Sequence, residues 1–212
     1  MSTGLADARE RLRRARLYLV VEAGAEHMLP AALHGGVDMV QLRDKRADDD
    51  AILRAAARFR AVCDEHGALL WLNDRPDLAL AAGVDGVHVG QDDAPVSEVR
   101  EQVGDRLLIG LSTHSPVQFD AALRSEADQL SVGPVWETPT KEGRPAAGLS
   151  YVRHAAEHGG ERLWFAIGGI TQDNVAEVVA AGARRLVVVR AIRDAADPEG
   201  AAAALRSAIE LT

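Results

Sequence analysis

Apolar and polar positions along this chain switch repeatedly between two patterns. Short runs of strand character occur at Leu17 to Val21, Asp38 to Leu42, Leu69 to Leu72, Gly86 to Val89, Leu107 to Leu111, Gln129 to Val132, Leu163 to Ile167 and Arg185 to Val189. Between and after them lie helix candidates: Glu26 to His34, Asp48 to His66, Pro76 to Ala82, Ser97 to Val103, Pro116 to Glu126, Leu149 to His158, Asn174 to Ala181 and Pro198 to Leu211. Gly35-Gly36, Gly67 and Gly83 end three of these helices, and Asp48 to Asp50 favour the positive start of another. Strands that alternate with helices in this way pair in parallel through right-handed crossovers. Eight pairs without a break predict an α/β fold, a single small (β/α)8 TIM barrel over residues 17–212, with 1–16 as an N-terminal helix or arm. An open doubly wound sheet is the alternative, and the count of eight argues against it.

Charge and cysteine usage narrow the picture. The 212 residues carry 32 Asp and Glu against 24 Lys and Arg, so a wide nucleic-acid footprint is not expected and any cationic region must be a local pocket. No apolar run long enough for a signal peptide precedes the first strand, and no membrane span is suggested. Cys63 is the only cysteine, which rules out an internal disulfide and fits a reducing, cytoplasmic setting. The outer helices are rich in Ala and charge and mark no clear patch for a homo-oligomer, leaving oligomeric state open.

In a barrel the chemistry collects at the C-terminal ends of the strands. Unusual polar residues do gather there. Gln41 lies near the end of the second strand and Arg43 and Lys45 follow it; these two, two apart, point to one side in extended geometry, where both can meet a polyanion. Asn73 and Asp74 follow the third; His88, Gln91 and Asp93 the fourth; Ser112, Thr113 and His114 the fifth. Thr138, Thr140, Lys141 and Arg144 lie in the long segment Gly133 to Gly148, which reads as a lid over an anionic substrate. Gly168-Gly169 follows the seventh strand, where backbone N–H groups can face a phosphate, and Arg190 follows the eighth. Asp74 and Asp93 are hard oxygen ligands on neighbouring strand ends, a set that suits Mg²⁺ shared with substrate phosphates.

The motifs Gln41-Leu42-Arg43-Asp44-Lys45, Asn73-Asp74-Arg75, Asp85 to Gln91 with Asp93, Ser112-Thr113-His114, Gly133-Pro134-Val135 with Thr138 to Lys141, and Ala166 to Ile170 together closely resemble the thiamine phosphate synthase family, from Leu17 to Ile192. The resemblance implies a barrel enzyme that joins a hydroxymethylpyrimidine diphosphate to a thiazole phosphate and releases pyrophosphate. It also implies that Gln41, Arg43, Lys45, Asn73, Ser112 and Lys141 contact the pyrimidine diphosphate, with Arg43, Lys45, Ser112 and Lys141 carrying catalysis. Asp74 and Asp93 would then hold Mg²⁺, and Thr138, Thr140, Gly168, Gly169, Val189 and Arg190 would line the thiazole phosphate site. Val189-Arg190-Ala191-Ile192 departs from the small hydroxyl residue usual in the family, so Arg190 either offers its guanidinium to the phosphate or turns outward. A thiazole tautomerase on the same barrel, with His114 moving protons, and a non-catalytic phosphate-binding barrel are the competing readings. Neither needs the set Arg43, Lys45, Asp74, Asp93 and Lys141.

Overall fold

The computed structural model describes residues 3–138 and 145–210. Eight parallel strands close into a barrel in sequence order: β1 (Leu17–Val21), β2 (Met39–Leu42), β3 (Leu69–Asn73), β4 (Gly86–Val89), β5 (Leu108–Thr113), β6 (Gln129–Val132), β7 (Trp164–Ile167) and β8 (Leu186–Val188). Around them run α1 (Thr3–Arg14), α2 (Leu29–His34), α3 (Asp49–His66), α4 (Pro76–Ala79), α5 (Val96–Val103), α6 (Pro116–Ala122), α7 (Gly148–His158), α8 (Val175–Ala180), α9 (Arg190–Arg193) and α10 (Pro198–Glu210). The expected elements are all present, with differences of extent: the helix expected from Glu26 to His34 is a 3-10 turn, Ala25–Met28, followed by α2, and β5 runs on to Thr113. Pro76 starts only one turn of α4. The α6 helix stops at Ala122 because the Ser125 hydroxyl and the Arg162 guanidinium take up its last carbonyl. The chain after β8 turns at once into α9, which the sequence reading continued as strand through Val189.

Period-two alternation sorts every strand into two faces. Leu17, Leu19, Val40, Leu42, Leu70, Leu72, Val87, Ile109, Leu130, Ala166 and Val188 point outward and join the helices in one continuous apolar layer. The inward set begins apolar: Tyr18, Met39, Leu69, Trp71, Leu108, Phe165 and Val187 meet Ala8, Leu12 and Ala15, so α1 closes the barrel floor. Here the Tyr18 ring lies 5.8 Å from Phe165 edge-on and 6.1 Å from Trp71. Higher up the inward positions turn polar, with Gln41, His88, Ser112, Gln129 and Ser131 all buried.

Two inward positions are glycine because their neighbours need the room. A Cβ on Gly86 would come within 2.7 Å of the Trp71 ring, and one on Gly110 within 2.2 Å of the Gln129 amide nitrogen and 2.4 Å of the His88 imidazole.

An aspartate stands immediately before β2, β4 and β6 and does the same work each time. Asp38 accepts the backbone N–H of Arg16 at 2.6 Å and of Leu17 at 2.9 Å and pairs with Arg206 of α10. Asp85 accepts from Leu70 N–H and from Arg60 of α3, both at 2.7 Å. Asp128 accepts from Ile109 N–H and Arg100 of α5, both at 2.9 Å, and from Arg9 of α1 at 3.0 Å. Each carboxylate thus caps the start of one strand and grips an outer helix, the one that leads into the strand for Asp85 and Asp128 and the chain's last helix, α10, for Asp38, which ties the outer layer to the floor of the inner one.

Two outcomes follow. Asp128→Ala takes the carboxylate from the largely buried Arg100 guanidinium and leaves Ile109 N–H unpaired, so urea unfolding should show a loss of about 3 kcal/mol, the low end for a broken buried pair because Arg100 keeps its bonds to the Gly104 and Leu107 carbonyls. Cys63 is fully buried and its thiol is pushed up to about 12 by burial, so it should resist a thiol reagent at pH 8 in the folded protein and react once the chain is unfolded in urea. Equal reactivity in both states would contradict its burial.

Candidate active site

At the C-terminal ends of the strands the barrel opens into a cavity of about 920 Å³, measured out to its open mouth. Gln41, Arg43, Asn73, Ser112, Thr138, Gly168, Gly169, Val189 and Arg190 line it, together with His88 and His114. Lys45, Asp74 and Asp93 stand outside the lining, beside Asn73. Thr140, Lys141 and Arg144, and with them the centre of the expected lid, lie outside the described residues.

The extended geometry from which Arg43 and Lys45 were expected to share a side ends after β2. Arg43 N–H makes the last ladder bond of β2, to Val21 at 2.8 Å. The Asp44 carboxylate then accepts from the N–H groups of Arg46 at 3.0 Å and Ala47 at 3.2 Å and folds the chain into a turn. Alternation ends there: Arg43 stays on the cavity wall, whereas the exposed Lys45 swings to Asp74, 3.3 Å away. The Arg43 guanidinium has no carboxylate partner among the described residues.

Asp74 sits at the end of β3 with a left-handed backbone, φ 58°, held by its N–H to the His88 carbonyl at 2.8 Å. Burial and then the hydrogen-bonded Asp93 carboxyl raise its pKa, with Lys45 pulling it back. Asp93 is fixed in turn by the Gly90 N–H at 2.7 Å. Two neighbouring carboxyls with a single lysine between them form an all-oxygen donor set with more negative charge than its surroundings neutralise. A divalent cation fits it, and the described residues offer no cluster of three or more acidic, His or Cys side chains that would hold a metal without help from a ligand.

Deeper in the cavity the polar side chains are held by one another. Gln41 Nε2 donates to the Tyr18 hydroxyl at 2.5 Å, which leaves its Oε1 facing the cavity. Burial raises the Tyr18 pKa far above the ordinary phenol value, so that hydroxyl stays neutral. His88 bonds Ser112 through Nε2 at 2.9 Å and Gln129 through Nδ1 at 3.0 Å, and Gln91 Nε2 donates to the Ser112 carbonyl at 2.7 Å. The His114 ring bonds the Gly133 carbonyl through Nδ1 at 2.7 Å and so supports the loop after β6.

That loop is clasped to the one after β7. Val135 N–H reaches the Ile167 carbonyl at 2.8 Å and Trp136 N–H the Gly168 carbonyl at 3.1 Å. Gly168 and Gly169 have φ of 107° and 67°, and a Cβ on either would strike Pro134 or Trp136 within 2.8 Å. Both glycines are therefore required by loop packing as well as by any approach to a ligand. Asn174 completes the turn, accepting from Thr171 N–H and donating to the Gly169 carbonyl, both at 2.9 Å. Val187, Val189, Ile167 and Ile170 give this side of the cavity an apolar wall, with Arg190 exposed at its mouth.

Sequence reasoning missed three contributors. Tyr18 read as an ordinary strand residue, Gln129 as the first residue of a strand, and Asn174 as the start of a helix. The signal for Gln129 was a polar side chain at an inward position of β6, visible only once the register is known.

Comparison with known proteins gives the chain relatives in sequence and in fold. The chain is 53% identical over 211 residues to a thiamine-phosphate synthase from Saccharopolyspora erythraea, covering 94% of this chain and 95% of the relative. It is 53% identical over 198 residues to one from Thermus thermophilus, covering 90% and 95%. A thiamine phosphate pyrophosphorylase structure from Pyrococcus furiosus superposes with a TM-score of 0.84 at 30% identity, over 96% of this chain and 98% of that one. The family model for thiamine monophosphate synthase matches residues 17–192, and the chain belongs to that family.

Proposed function

We propose that the protein joins 4-amino-2-methyl-5-hydroxymethylpyrimidine diphosphate to thiazole phosphate, giving thiamine phosphate and pyrophosphate. The observation that carries this reading is Arg43: a guanidinium on the cavity wall with no carboxylate partner among the described residues is a receptor for a diphosphate, and the Asp74 and Asp93 carboxyls at the ends of the following strands suit its metal. Gln41 Oε1 can accept from the exocyclic amine of the pyrimidine, with Asn73 and Ser112 beside it. The glycine turn after β7 and the backbone at Val189 and Arg190 form a cradle suited to the thiazole phosphate, and the apolar wall suits its ring.

The reaction breaks the bond between the pyrimidine methylene and the diphosphate oxygen, whose electron pair leaves with pyrophosphate. The electron-rich ring stabilises the resulting cation, and the thiazole nitrogen closes the new C–N bond with its own lone pair. No proton has to move, so the chain's task is to hold the two rings in line and to stabilise the departing charge. Arg43 and Lys45 act on the diphosphate. Lys141 is assigned to the same task by resemblance alone, as is Thr140 to the thiazole phosphate. Mg²⁺ held by Asp74 and Asp93 would neutralise diphosphate oxygens and favour their departure. The described residues include no helix long and apolar enough to cross a membrane.

Two measurements test this. With both phosphorylated substrates, thiamine phosphate and pyrophosphate should appear in equal amounts, and Arg43→Ala should lower kcat/KM roughly 100-fold or more, a loss of about 3 kcal/mol of charge-assisted bonding. A folded protein that binds thiazole phosphate yet yields no coupled product would overturn the synthase reading. For the metal site, Mg²⁺ should raise the melting temperature of the wild type in the presence of pyrophosphate and leave that of Asp74→Asn unchanged. Asparagine tolerates the left-handed backbone at this position, so the variant removes charge without adding strain. An equal shift in both proteins would remove Asp74 from the metal site.

A further inference from the structure

His88 is bonded on both ring nitrogens by buried side chains, Ser112 on one side and Gln129 on the other. A neutral imidazole carries one proton, and the partner of its unprotonated nitrogen must be a donor. The Gln129 amide is placed with Nε2 toward the ring, donating one N–H to Nδ1, and with Oε1 in the position that has no partner. Turned over, the amide nitrogen would stand in that position with neither N–H bonded. The proton of His88 then sits on Nε2 and is donated to Ser112 Oγ. That hydroxyl, receiving a hydrogen bond from below, has its own proton left for the cavity it lines. Gly110 testifies to the same contact, since any side chain there would occupy the space of the Gln129–His88 bond.

We propose that Gln129 is a positioning residue that fixes the tautomer of His88 and through it aims the Ser112 hydroxyl proton into the cavity, where Ser112 donates to an acceptor nitrogen of a flat heterocycle. Beside it Gln41 is turned the opposite way, as an acceptor, by Tyr18. The two together present one donor and one acceptor, which an aminopyrimidine edge complements and an edge with two like groups does not. This assignment of the ring rests on the synthase reading; the tautomer does not.

The tautomer can be read directly in the unliganded protein by ¹⁵N NMR of the histidine rings, with the His88 signals identified by their loss in His88→Asn. The expected result is a proton on Nε2 and none on Nδ1. A proton on Nδ1 overturns the proposal whether or not the enzyme turns over, and a proton on Nε2 in a protein without synthase activity would overturn the synthase reading while leaving the relay standing. In the active enzyme, Gln129→Met should raise KM for the pyrimidine diphosphate roughly three- to tenfold, the effect of one hydrogen bond, with KM for thiazole phosphate unchanged. Ser112→Ala should do the same, and the double variant should be no worse than Ser112→Ala alone. Effects that add in full, or that fall equally on both substrates, would reduce Gln129 to a packing residue.

Discussion

An eight-stranded barrel encloses barely enough room for its own inward side chains, and the division of that room governs this molecule. The lower half goes to Tyr18, Trp71, Leu108 and Phe165, sealed by Leu12 from α1. Trp71 occupies what Gly86 gives up, and the His88–Gln129 contact occupies what Gly110 gives up. The upper half is left to side chains that bond one another, and the space above them is the cavity. Site and core are thus one packing problem solved at two heights.

The outer layer is registered to the inner one by the aspartates that precede β2, β4 and β6. An arginine completes each contact, from the helix entering the capped strand for β3 and β5 and from the last helix, α10, for β1, so the scheme runs across the point where the barrel closes. The fourth position breaks the rule. Immediately before β8 stands Arg185, near Arg16, with its pKa lowered to about 10 by burial and by that second cation. It is accommodated by the Arg13 carbonyl at the end of α1, where a helix terminus attracts positive charge.

Much of this was legible in the sequence. Strand and helix periods are local properties, so β1, β4 and β6 fall where the pattern puts them, and the strand-end rule brings Gln41, Arg43, Asn73, Ser112 and the Gly168-Gly169 turn to one cavity. What could not be read depends on contacts between distant segments. The turn made by the Asp44 side chain ends the alternation after Arg43, and Lys45 pairs with Asp74. The need for glycine at 168 and 169 comes from Pro134 and Trp136, more than thirty residues earlier. The role of Gln129 depends on a histidine two strands away.

The sealed floor has a consequence for traffic. With α1 packed beneath Tyr18, Met39 and Leu69, whatever enters must come through the mouth at the strand ends and leave the same way. The cavity is therefore a blind well: the buried Gln41 and Ser112 lie at depth, the exposed Arg190 stands at the rim, and one opening serves for entry and for exit.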